Sequence, residues 1–215
     1  MKTLILLLLL VVGMHSAAAV SHSLQYFYTV STGMETFPQF VAVGIVDGEQ
    51  IDYYDSVSEK NVLKQTWMEG VRDEKRITDV RKGIQQTFKA NVGVAMQRFN
   101  QTTGVHIVQE MRGCEWDEET GKVTGSFQFG YDGEDFATWD TGTNTWIPAK
   151  QQAEITTDLW NNDKAKLESD KNYINHLCPG WLRNYVSYGR SYLMRTEDFL
   201  LSSQLPRYRF LPEQS

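Results

Sequence analysis

The sequence is poor in the residue types on which metal, redox and nucleotide chemistry depend. It has two cysteines and four histidines in 215 residues, and His22, His106 and His176 stand far apart. It contains no Gly-x-Ser-x-Gly elbow, no phosphate-cradling glycine loop and no His-Glu-x-x-His pair. Acid pairs such as Glu134/Asp135 flank turn signals and read as solvent-facing, so no enzyme is expected. The acidic run Asp117-Glu118-Glu119-Thr120-Gly121 lacks the alternating ligand positions of a calcium loop, so neither a metal nor a cofactor is expected. Positive charge is also short: 21 Lys and Arg against 27 Asp and Glu leave a net charge of −6. Without a basic stripe to neutralise phosphates, nucleic acid is an unsuitable partner.

One long apolar run is present, at the N-terminus. Lys2 followed by Leu4 to Val12 and then Ala17-Ala18-Ala19 has the charged, apolar and small-residue parts of a secretory signal peptide over residues 1–19. The run is about half of what a bilayer-spanning helix needs. Losing Lys2 with the leader takes the formal charge from −6 to −7. The implied compartment is the secretory pathway, with an extracellular or cell-surface destination. In that oxidising setting Cys114 and Cys178 read as one disulfide. Asn100-Gln101-Thr102 is then an N-glycosylation acceptor.

The remaining pattern occurs twice. Ser23 to Val30, Phe37 to Val46 and Ile51 to Tyr54 read as strands, with Leu24, Tyr26 and Tyr28 on one face and Asp47-Gly48 closing a hairpin. A short fourth strand is expected near Ser56 to Val62. The proline-free segment Trp67 to Gln101 follows, where Ile84, Phe88, Val92, Ala95 and Phe99 trace one helical stripe. The second round has strands over Val105 to Trp116, Val123 to Tyr131 and Glu134 to Trp139, with a turn at Asp132-Gly133. From Pro148 to Tyr192 the chain is helical in pieces. Ile174, Leu177, Trp181, Tyr185, Tyr188 and Tyr192 are spaced for one side of a helix, and Pro179-Gly180 should kink it just after Cys178. Strands then a helix, twice, predict an α+β fold: two strand-strand-strand-strand-helix halves forming one antiparallel eight-stranded sheet topped by two long helices with a groove between them.

The residues also resemble a family. Ser21-His-Ser-Leu-Gln-Tyr-Phe, Phe40-Val-Ala-Val-Gly, Asn100-Gln-Thr, Met111-Arg-Gly-Cys, Tyr131-Asp-Gly-Glu-Asp-Phe and Cys178-Pro-Gly-Trp-Leu-Arg-Asn-Tyr occur in the order and spacing of the peptide-binding platform of major histocompatibility complex (MHC) class I heavy chains, of a non-mammalian type. The resemblance implies an alpha-1 half over 20–103 and an alpha-2 half over 104–196. It implies peptide binding between the helices for display to T-cell or natural-killer-type receptors. Tyr26, Tyr173 and Tyr185 match positions that hold a peptide's amino terminus; Arg98, Thr156 and Trp160 match those at its carboxylate.

Several positions depart from the family pattern. Leu159 replaces a lysine beside the carboxylate site, and Arg112 replaces a floor tyrosine, with Glu110 its candidate partner. The stretch between Trp67 and Gln85 is about four residues short, removing a fourth tyrosine. Residues 197–215 read as a short tail in place of the immunoglobulin-like domain and membrane anchor. Association with the light chain beta-2-microglobulin should then be weakened. These departures keep open a second expectation: a non-classical or soluble class I-like interaction protein, a receptor ligand or decoy, with a non-peptide ligand or none.

Overall fold

The computed structural model describes residues 20–204, with side chains through Arg195, so the expected leader over 1–19 and residues 205–215 lie outside the described residues. The first half contains β1 (Ser21–Thr32), β2 (Phe40–Val46), β3 (Glu49–Asp55), β4 (Asn61–Leu63), a 3-10 turn (Thr66–Gly70) and α1 (Glu74–Arg98). The second contains β5 (His106–Asp117), β6 (Val123–Tyr131), β7 (Glu134–Asp140), β8 (Thr145–Pro148), α2 (Gln151–Asn162), α3 (Lys164–Asn172), a π-helical turn (Tyr173–Leu177) and α4 (Cys178–Gln204).

All eight strands form one antiparallel sheet in the order β4-β3-β2-β1-β5-β6-β7-β8. The halves join where β1 pairs with β5, from Ser21 opposite Asp117 to Thr32 opposite His106. Strict alternation along β1 sends His22, Leu24, Tyr26, Tyr28 and Val30 into the buried side. The Asp-Gly turns behave as their composition demands: Asp47 and Gly48 have φ of 48° and 81°, Asp132 and Gly133 of 51° and 83°. Both aspartates also serve as staples. Asp47 accepts from Ser23 N at 2.6 Å and lies 2.7 Å from His22 Nδ1; Asp132 accepts from Ile107 N at 2.8 Å and lies 2.8 Å from His106 Nδ1. The two halves therefore repeat a local device as well as a topology.

The helices cover one face of the sheet. Asp73 caps α1, its carboxylate accepting from Lys75 N and Arg76 N. At the other end Asn100 takes the left-handed conformation (φ 54°), while Asn100 N donates to Gln97 O and Gln101 N to Met96 O. This helix stop leaves Asn100 exposed, as a glycan acceptor requires. The buried positions of α1 are Ile77, Arg81, Gln85, Phe88, Val92 and Ala95. The expected stripe holds at its C-terminal end, with Phe88, Val92 and Ala95 buried. Toward the N-terminus the buried face passes through Arg81 and Gln85, two polar residues.

The second wall differs from expectation in three places. The eighth strand of the expected sheet, β8, falls at Thr145–Pro148 in a stretch read as a turn and a helix start, so the helix starts at Gln151 and not at Pro148. The irregularity at Pro179 lies before Cys178: Tyr173–Leu177 form a wide turn in which Cys178 N donates to Tyr173 O, five residues back, and α4 then runs on to Gln204. Proline disturbs the turn preceding it, since its ring crowds the carbonyl four residues earlier and it donates no hydrogen bond. The extra residue in that turn rotates the stripe. Ile174, Cys178, Leu182, Tyr185, Val186 and Leu193 are buried, while Leu177, Trp181 and Tyr188 reach the surface.

The disulfide joins Cys114 of β5 to Cys178 at the first turn of α4, with Cα atoms 6.0 Å apart. Beside it the wall sits directly on the floor. A Cβ added at Gly125 of β6 would come within 2.2 Å of Ile174 Cγ2. Among the described residues no helix is long and apolar enough to cross a membrane, and no three metal-binding side chains converge.

Candidate functional site

The N-terminal half of α1 faces α4, and its C-terminal half faces α2, so the two walls run antiparallel and enclose a groove. The groove is deepest at two places, one toward each end.

The first is a cavity of about 420 Å³ bounded by Tyr26, Tyr28, Arg72, Arg81, Arg112 and Tyr185, with Trp181 and Arg76 also on its lining. Asp52 of β3 is fully buried beneath it. Arg72 Nη1 donates to Asp52 Oδ2 at 2.9 Å and to the Tyr26 hydroxyl at 2.7 Å. Arg81 Nη2 donates to the same carboxylate at 3.1 and 3.3 Å, and its Nη1 to the Tyr28 hydroxyl at 2.6 Å. Arg112 Nη2 donates to that hydroxyl from the other side at 3.0 Å. The guanidiniums also lie over rings: Arg72 5.3 Å from Tyr185, Arg81 4.9 Å from Tyr26, Arg112 4.7 Å from Tyr173.

The expected partner of Arg112 is in place, Nε lying 3.3 Å from Glu110 Oε1. This is a charge contact and not an aligned hydrogen bond, for neither atom has a hydrogen-bond partner among the described residues. Burial pushes the Glu110 carboxyl up to about 7, against the pull of Arg112 and Lys166. Burial opposes the charge on Arg81, but Tyr28 and Asp52 outweigh it and the guanidinium stays protonated. Burial, then Tyr185, raises Tyr26 well above the ordinary phenol range, and burial also raises Tyr173 and Tyr185. All three remain neutral.

Tyr26 and Tyr185 therefore meet at this end, with Arg72 between them. Tyr173 lies one step aside, packed against Phe127, Trp181 and Arg112, and its hydroxyl has no partner among the described residues. Residues 71–73 link the 3-10 turn to α1 as a short non-helical passage. From this passage Arg72 reaches inward to Asp52.

The second cavity is smaller, about 220 Å³, and mostly apolar, formed by Val108, Phe129, Tyr131, Phe136 and Trp160 together with Arg98 and Thr156. The structure brings the three expected residues of this end together. Trp160 is held by Phe129 at 5.1 Å and Trp146 at 4.9 Å between ring centroids. Arg98 is the last residue of α1. Arg98 Nε and Thr156 Oγ1 are buried donors without partners among the described residues. Leu159 lies at the rim, 61% exposed.

Sequence reasoning missed Arg72, Arg81 and Asp52. The available signal was Asp52 itself, a carboxylate between Ile51 and the tyrosines Tyr53 and Tyr54, which needs a cation if it faces inward.

Residues 20–193 match the family model described as "Class I Histocompatibility antigen, domains alpha 1 and 2". The chain is 38% identical over 181 residues to the mouse major histocompatibility complex class I-related protein 1, covering 82% of this chain and 52% of that protein. It is 38% identical over 194 residues to the chicken class I histocompatibility antigen F10 alpha chain (88% and 56%) and 35% identical over 201 residues to the mouse H-2 class I histocompatibility antigen K-K alpha chain (91% and 54%). The chain thus spans about half the length of the curated relatives it matches.

Proposed function

Because this chain belongs to the class I histocompatibility antigen family through its alpha 1 and alpha 2 domains, we propose that its groove holds a short ligand and displays it to an immune receptor. The halves 20–103 and 104–196 act as one platform in this reading. Similarity to both class I antigens and class I-related proteins supports it.

One observation carries it: Arg98 and Thr156 leave two buried donors unpartnered at the end of an apolar cavity. A buried donor without an acceptor costs about 1–3 kcal/mol, and a ligand carboxylate supplies the acceptor. The geometry suits a short peptide with its carboxylate on Arg98 and Thr156, its last side chain against Trp160, and its first residues toward Tyr26, Tyr173 and Tyr185. T-cell or natural-killer-type receptors are the partners of such a display. Beta-2-microglobulin would meet the uncovered sheet face, where Phe27, Gln109 and Met111 line a shallow depression.

A second reading is favoured by Arg72. Its guanidinium already donates to Tyr26 and covers Tyr185, where a peptide ammonium would sit. A non-peptide ligand, or a receptor-binding role without one, is consistent with that. Acid elution of the protein folded in animal cells, followed by mass spectrometry, separates the readings. Short peptides in the eluate are the expected result. An eluate empty of peptides and of small molecules contradicts ligand display.

A further inference from the structure

The first cavity carries more positive charge than its surroundings neutralise. Three guanidiniums, those of Arg72, Arg81 and Arg112, converge on two tyrosine hydroxyls, and a fourth, Arg76, stands exposed on the lining. Against them stand three carboxylates. Asp52 is shared between Arg72 and Arg81. Asp73 already caps α1. Glu110 meets only Arg112, without an aligned hydrogen bond, and its raised proton affinity leaves it partly neutral near pH 7.

Buried cations hold their place only when compensated. Here one buried carboxylate serves two of them, and Arg81 Nε, Arg112 Nε and the Tyr173 hydroxyl lack hydrogen-bond partners among the described residues. An ammonium entering this cavity would find its best acceptor, the Tyr26 oxygen, taken by Arg72 at 2.7 Å, and four like charges around it. An oxyanion would find four guanidiniums on the lining able to donate charge-assisted hydrogen bonds to it.

We propose that the cavity between Arg72, Arg81, Arg112 and Trp181 is an oxyanion subsite, binding a carboxylate or phosphate group of the displayed ligand and not an amino terminus. The inference rests on the reading of the groove as a ligand-holding one and specifies the ligand chemistry at its first end. Two sources share that chemistry: an acidic side chain near the start of a peptide, or a free small organic acid or phosphate.

The test is calorimetric titration of the acid-stripped chain, produced in animal cells, with phenyl phosphate, benzoate and benzylamine at low salt. Phenyl phosphate and benzoate should bind, with benzylamine at least about tenfold weaker. Arg72→Gln should weaken phenyl phosphate about tenfold. That change removes a buried partner of Asp52, so Arg76→Gln, at an exposed position, supplies a variant that leaves the fold intact, with an expected loss of about threefold. An acetylated peptide beginning with glutamate, compared with its glutamine twin, distinguishes the sources. Preference for glutamate assigns the subsite to peptides; phenyl phosphate binding without that preference assigns it to small acids. Benzylamine binding as tightly as phenyl phosphate overturns the subsite while leaving the ligand-holding groove intact. Failure of every probe overturns it as well, and the acid eluate then decides separately whether the groove holds ligand at all.

Discussion

The two ends of the groove are built on equivalent parts of a repeated fold, yet they solve opposite problems. The first end packs charge under its floor: Asp52 is fully buried and binds two guanidiniums, and Arg112 crosses to share Tyr28 with Arg81. The second end packs aromatic surface, with Phe129, Trp146 and Trp160 in mutual contact, and leaves two polar donors without partners. The first end is tied together through Asp52, whose removal strands two guanidiniums, yet Arg81 Nε, Arg112 Nε and the Tyr173 hydroxyl still lack partners among the described residues. The second end has fewer polar groups, and its two unpartnered donors sit against an apolar wall.

The largest break in that comparison should come from Asp52→Asn. Arg72 and Arg81 would lose their shared counter-charge inside the fold, a loss of about 3–5 kcal/mol in denaturant unfolding. A change below about 1 kcal/mol would mean the two arginines are not held by this carboxylate. The disulfide belongs to the first end's wall. Cys178→Ala opens a link spanning 64 residues and should cost about 2–5 kcal/mol in the same assay.

Glu110 gives a smaller, pH-dependent effect. Its folded-state affinity for a proton is raised to about 7 from the ordinary 4.5, so it adds stability below pH 4.5 and that stability is lost as pH rises through 7. Glu110→Gln should remove this slope, flattening the unfolding free energy between those limits while leaving the slopes below and above them unchanged. The smallest effect is predicted at the second end. Thr156→Val removes a hydroxyl that has no partner, so stability should stay within about 0.5 kcal/mol or rise slightly. A loss comparable to that of Asp52→Asn would erase the contrast between the ends.

Much of this architecture was legible in the sequence because it rests on local rules. The Asp47-Gly48 and Asp132-Gly133 turns, the alternation along β1, the Cys114–Cys178 link and the Glu110–Arg112 contact each follow from neighbours or from residue types with few alternatives. Arg98, Thr156 and Trp160 also meet in one cavity, as the resemblance implied. The charged end was not legible in this way. Whether Asp52 faces inward depends on Arg72 and Arg81, 20 and 29 residues away, and on a short non-helical passage whose direction no local preference sets. The helical stripe of the second wall failed for a related reason. The wide turn before Cys178 displaces part of it: Leu177, Trp181 and Tyr188 are exposed where simple counting puts them inside, while Ile174 and Tyr185 stay buried as expected.

The central claim is that a ligand completes this groove. It is tested most directly by melting the chain produced in animal cells before and after mild acid stripping, then again after adding back its own eluate. A bound ligand stabilises the folded state by an amount that grows with the logarithm of its concentration over its dissociation constant. The account predicts a lower melting temperature after stripping and its recovery with the eluate. An unchanged melting temperature through all three steps would contradict it.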